Sequence, residues 1–241
     1  MIMADKNIEK NLVSEETTKN EEEKSNVEAQ NIKELGVLNV ASGDDSIQIL
    51  PIIGQIEGHN MGSPQTKVTK YEHVIPQLVA MERDEKVKGF ILVILNTVGG
   101  DVEAGLAIAE MINSLSKPTV SFSYWWRALY RSATGNFLKL FIISPSATMI
   151  VHPIRMNGLV IGVPQTFDYF RKMQERIIEF ITRTSKITAE KLREMMSETD
   201  ELLNDMGTIL IGKQAVDCGI IDEVGGISQA LHKLNELIDK K

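Results

Sequence analysis

The sequence predicts an α/β fold with a mainly parallel sheet, preceded by a polar tail. Three observations carry that prediction. Phe90 to Leu95 is an unbroken apolar run, the pattern of a strand covered on both faces. Gly99-Gly100 follows, and behind Asp101 the apolar residues Ile108, Ile112 and Leu115 recur at helical spacing. Further along, short apolar runs alternate with amphipathic stretches, as successive strand–helix units require.

Met1 to about Asp45 is rich in Glu, Lys, Asn and Ser and poor in aromatics. It cannot bury enough apolar surface to offset its ordering entropy, so it reads as a disordered tail, with 46–241 as the folded domain. Ile47 to Ile56 reads as the first core strand, its pairing limited by Pro51 and bent at Gly54. Gly58 to Gln65 is a loop. Thr69 to Met81 suits a helix with Tyr71, Val74, Ile75 and Leu78 inward, broken or kinked at Pro76. A charged connection, Glu82 to Lys88, leads into the central strand.

Lys117-Pro118 ends the next helix and Thr119-Val120-Ser121 opens another strand. Phe122 to Phe141 then fits neither a strand nor an amphipathic helix, and it holds both tryptophans of the chain. Ile142 to Val151 returns to strand character and ends at His152-Pro153. Gln165 to Arg183 is a long helix with Phe167, Phe170, Met173, Ile177 and Ile181 on one broad face. Thr188 caps a helix over Ala189 to Met196. A short strand (Ile209 to Ile211), a helix (Lys213 to Asp217), an extended segment (Ile220 to Asp222) and a closing helix (Ser228 to Ile238) complete the order.

Composition narrows the function classes. A formal net charge of -7 argues against a nucleic-acid surface. The single cysteine, Cys218, excludes an internal disulfide framework and fits a reducing compartment; with no basic neighbour evident, it reads as a buried small hydrophobe. No stretch is apolar enough to span a bilayer, and the amino terminus shows no charged-then-apolar leader, which points to the cytoplasm.

Few motifs remain. Gly207 to Lys213 satisfies most of a phosphate-binding loop but lacks the closing Ser or Thr, and its interior is β-branched; it is not read as a nucleotide site. Read alone, Gly99-Gly100 is a tight β-to-α turn that also aims backbone N–H groups past the end of a strand. His152, at a strand end before proline, suits a general base or a structural role. His59, His73 and His232 make no metal-ligand spacing with it, and no metal or other cofactor is expected.

Asn96 to Gly105 (NTVGGDVEAG), Ser146 to Pro153 (SATMIVHP) and Gln214 to Asp222 (QAVDCGIID) together resemble the Clp protease proteolytic subunit family, in order and over roughly Ile47 to the C-terminus. Ile154 to Phe167 is similar to the translocation-enhancing branch of that family. The resemblance implies a ClpP/crotonase-like fold of repeated β-β-α units and a Ser-His-Asp peptidase acting on peptides or unfolded segments. It also implies a self-assembled ring, with the Gln165–Arg183 helix contributing, and a gating partner. It assigns Gly99 and Gly100 to the oxyanion hole and His152 to the base. Counting back from Asp222, the acid position falls on Gly207; the nearest carboxylate, Asp205, is taken as the acid.

The nucleophile departs from the pattern. The family serine falls on Leu129, which cannot attack a carbonyl, and Ser123 and Ser132 lack the glycine-flanked turn of an exposed nucleophile. Between matching flanks, the segment Phe122–Phe141 reads as frame-shifted. Trp is always TGG, so Trp125-Trp126 read one base later must spell Gly-Gly, and permitted codons for Arg127 to Gly135 continue it to GGGHSIGVPLA with the serine at position 129. Two other classes stand beside a peptidase: a catalytically dead assembly or binding subunit, and an acyl-thioester enzyme of the crotonase-like type.

Overall fold

In the computed structural model, which describes residues 39–42, 45–59, 65–126, 139–155, 164–200 and 206–240, the central apolar run becomes the longest strand. Through the first helix after it, the described order is β1 (Asn39–Ser42), β2 (Asp45–Ile49), β3 (Ile52–Ile53), β4 (Gln55–Glu57), β5 (Val68–Lys70), α1 (Tyr71–Arg83), β6 (Val87–Thr97) and α2 (Val102–Ser114). Then come β7 (Thr119–Trp126), β8 (Lys139–Ile143), β9 (Thr148–Val151), α3 (Pro164–Thr184) and α4 (Ala189–Met196). The chain closes with β10 (Thr208–Ile211), α5 (Lys213–Asp217), β11 (Glu223–Val224) and α6 (Ile227–Asp239).

The sheet grows outward from β6. Strands β2 and β3 lie parallel on one side of it and β7 on the other. Strand β7 pairs in parallel with β8 and, at its last residue, with β9. Strand β11 joins β8 in parallel, whereas β10 runs antiparallel to β9. A small second sheet pairs β4 with β5.

Alternation along the strands divides the core in two. Val120, Phe122 and Ile142 pack with Ala230 and Leu234 of α6. Leu95, Phe141 and Ile143 belong to the larger cluster with Leu78 of α1, Ile108 of α2 and Ile181 of α3. Coverage of both faces is the physical reason these strands read as unbroken apolar runs. Helix α2 begins at Asp101, whose Oδ1 accepts the Ala104 N–H at 2.8 Å. Its outer face is tied to α3 by Arg176–Glu103 at 2.6 Å and, seven residues on in each helix, by Arg183–Glu110.

Several expectations need correction. The polar tail is not strand-free to its end, because β1 falls at 39–42, a short edge strand beside β2. The first core strand is three pieces, divided where Pro51 and Gly54 interrupt pairing. Helix α1 runs through Pro76, which is exposed, so the carbonyl it leaves without a donor can turn to water. The run Ile142 to Val151 is two strands, split at the Ser144–Ala147 turn that holds Pro145. The last strand is Glu223–Val224, just beyond Asp222.

Candidate active site

Because β6, β7 and β9 are parallel neighbours, their carboxyl ends share one edge of the sheet. Thr97 of β6 pairs with Trp126 of β7, and Trp126 pairs with Met149 of β9. From that edge the chain enters Gly99-Gly100 after β6, the segment leading to position 129 after β7, and His152 after β9. Ligand sites of parallel sheets form at such edges. Leu129, Ser132 and Asp205 lie outside the described residues.

The glycine turn is fixed by β4. Ile56 N–H donates to the Gly99 carbonyl and Asp101 N–H donates to the Ile56 carbonyl, both at 2.9 Å. Gly100, at φ 150°, is pressed so closely on Ile56 that a Cβ would sit 2.1 Å from the Ile56 oxygen. Only glycine fits there. Thr97, 1% exposed, accepts the Gly99 N–H at 3.0 Å through Oγ1 and donates its own proton to the Gly99 carbonyl at 3.2 Å. The pairing turns Gly100's own N–H away from Ile56, and among the described residues it has no acceptor. Of the two glycines assigned to the oxyanion hole, Gly100 therefore offers the open donor. Thr97 and Ile56 were not identified from sequence; a threonine two residues before the glycine is a local signal, but Ile56 is remote in the chain.

His152 is half-buried at the end of β9, with Nδ1 2.6 Å from the Pro153 carbonyl oxygen. A carbonyl only accepts, so Nδ1 carries the proton and Nε2 the lone pair. Gly207 lies against this histidine: a Cβ there would be 2.5 Å from the Val151 oxygen and 3.0 Å from His152 Cβ, at φ 130°. The position reached by counting back from Asp222 is thus beside His152 in space, yet closed to a side chain. Arg155 closes the same corner by donating to the Met206 carbonyl at 3.3 Å.

A cleft of about 450 Å³ runs from the glycine turn to the start of α3, lined by Ile56, Glu57, Gly100, Arg155, Tyr169 and Phe170. Glu57, 7% exposed, faces Lys70 Nζ at 3.6 Å. The edge can therefore offer one N–H to a carbonyl oxygen and one imidazole lone pair to a proton. Ser123 cannot supply a nucleophile: it is fully buried within β7 and donates to the Leu95 carbonyl at 3.3 Å.

Two other motifs are structural. Residues 208–211 of the loop-like stretch form β10 and pair with β9 rather than wrapping a phosphate. Burial pushes the Cys218 thiol up, and its Sγ lies 3.3 Å from the Ala215 carbonyl it donates to; the side chain is half-buried rather than fully so.

The Clp protease family model matches residues 57–228, a span holding the glycine turn, His152 and Gly207. A translocation-enhancing protein, TepA, from Halalkalibacterium halodurans is 51% identical over 213 residues, covering 88% of this chain and 83% of that protein. With the parallel sheet and the motifs at its carboxyl edge, these likenesses make the chain a member of the Clp protease family.

Proposed function

We propose that this chain is a Clp-type serine endopeptidase scaffold for extended or unfolded polypeptide, whose hydrolytic step needs the serine that Leu129 displaces. The observation that carries this reading is the shared edge: the ends of β6, β7 and β9 are paired neighbours. In a chain with serine at position 129, its oxygen attacks the peptide carbonyl carbon while His152 Nε2 takes the hydroxyl proton. The Gly100 N–H stabilises the oxyanion. His152 then gives the proton to the departing amine, leaving an acyl-enzyme, and water repeats the sequence to release the carboxylate product.

Assembly into a homo-oligomeric ring belongs to the same reading. The apolar face of α3 divides: Met173 is buried and Ile177 packs into the core, whereas Phe167 is 70% and Tyr169 55% exposed. The amino-terminal part of α3 is accordingly the part left for a neighbouring subunit, and a gating partner would control access to the chamber. No helix among the described residues is long and apolar enough to cross a membrane. We place the protein in the cytoplasm, with residues from about 46 onward as the peptidase domain, and take a link to protein export from the relative's name. A second reading, an assembly subunit without catalysis, is favoured by Leu129 itself.

The gene's nucleotide sequence and one rewritten chain separate these readings. Codons 122–141, read one base later, should spell Gly-His-Ser-Ile-Gly. A chain carrying GGGHSIG over positions 125–131 should hydrolyse a fluorogenic peptide, lose that activity with His152→Ala, and exceed the chain as written by about 10⁴-fold or more. A folded, rewritten chain with no hydrolysis above blank would favour the assembly subunit.

A further inference from the structure

The peptide group after His152 is held at both ends. Its carbonyl, on Pro153, lies 2.6 Å from His152 Nδ1, and its N–H, on Ile154, donates to Gln174 Oε1 at 2.8 Å. Gln174 is half-buried on α3, and its Nε2 reaches Met196 Sδ of α4 at 2.9 Å. An N–H can only donate, so the amide oxygen must face Ile154 and the amide nitrogen the sulfur.

We propose that Gln174 is a positioning residue for His152: it fixes the Pro153–Ile154 peptide so that a backbone carbonyl, in place of a carboxylate, holds the imidazole with its proton on Nδ1. This rests on the reading of His152 as the general base. Three arguments converge on it. A hydrogen bond accepted from one end of an amide polarises that amide and makes its carbonyl a better acceptor. The carbonyl admits only the Nδ1–H tautomer, which leaves Nε2 as the basic nitrogen. And the position where the family pattern puts its acid is Gly207, which cannot carry a side chain against the Val151 carbonyl. Val151 cannot easily withdraw, since it is paired with Thr208 in the β9–β10 ladder.

The consequence is chemical. Loss of the correct tautomer is the main penalty when a triad acid becomes an amide. A carbonyl averts that penalty but brings no negative charge to stabilise the imidazolium, so the device orients the base without strengthening it as a carboxylate would.

The test is the location of a proton. The full chain is labelled with ¹⁵N-histidine; it has four histidines, and His152→Asn identifies the signal of interest. The ring nitrogens of His152 should read as protonated at Nδ1 and unprotonated at Nε2. That pattern should persist in Asp205→Asn, and in Gln174→Glu, which keeps an acceptor oxygen. In Gln174→Ala it should give way to a mixture of tautomers, with circular dichroism reporting that the fold is kept. An Nε2-protonated His152, or an Asp205→Asn variant that scrambles the tautomer, overturns the proposal, and Asp205→Asn decides even where Gln174→Ala does not fold. Because the readout is not hydrolysis, the proposal can fail while the rewritten chain cleaves peptide, and peptide cleavage can fail while the tautomer pattern holds.

Discussion

The carboxyl ends of β6 and β7 are neighbours in one sheet, yet they are specified very differently. After β6 each backbone group is placed by a partner: Ile56 holds Gly99 and Asp101, Thr97 holds Gly99, and Asp101 starts α2. After β7 the strand ends in Trp125-Trp126 and leads on to Leu129, where the family pattern has glycines and a serine. The oxyanion side owes none of these bonds to residues beyond Trp126. Loss of the nucleophile pattern therefore need not dismantle the rest of the edge, and the two halves of the site can fail separately.

Damage to the β6 end should be the most costly. In Gly100→Ala a methyl group would meet the Ile56 oxygen at 2.1 Å, backbone against backbone, so the turn must open. Urea unfolding should show a loss of roughly 2–4 kcal/mol. Gly99→Ala sharpens the contrast within the turn. Its φ of 93° disfavours alanine, but nothing lies within 4 Å of the added carbon, so the cost should be the backbone term alone, about 1–2 kcal/mol. Equal losses in the two variants would mean that contact with Ile56 does not determine the turn.

Smaller effects follow along α2. Asp101→Ala removes the side-chain cap and should cost about 1 kcal/mol, with Asp101→Asn largely restoring it. Glu103→Gln should cost under about 1 kcal/mol, since both partners of the Arg176 pair are half exposed and screened by salt. The hydrogen bond from Arg176 holds the Glu103 carboxyl below the usual carboxylate range. A carboxylate depressed on folding contributes its full stability above the unfolded value and loses it as pH falls through the folded one. The difference between the parent and Glu103→Gln should therefore shrink in acid and in high salt.

What was legible in the sequence was local. Asp101 and Thr188 are caps that need only the next three residues, and both bonds are made. The glycine pair and the His-Pro end of β9 stand where their strands put them. What was not legible depends on packing between distant residues. Ile56 is recognised only when β4 bridges Gly100, and Gln174 only when α3 lies beside the Ile154 peptide, twenty residues earlier. The split between β8 and β9 was hidden by strong apolar flanks, although Pro145 marked it. The stretch at β10 resembled a phosphate loop because glycines and a lysine recur there, while its apolar interior belonged to a strand.

The account's central claim is that this chain keeps the oxyanion half of a Clp-type site and lacks the nucleophile half. Intact-mass spectrometry after treatment with a fluorophosphonate tests it most directly. The chain as written should gain no adduct, and the chain carrying GGGHSIG over positions 125–131 should gain one per subunit, abolished by His152→Ala. A stoichiometric adduct on the chain as written, lost with His152→Ala, would contradict the claim by revealing a serine already paired with that histidine.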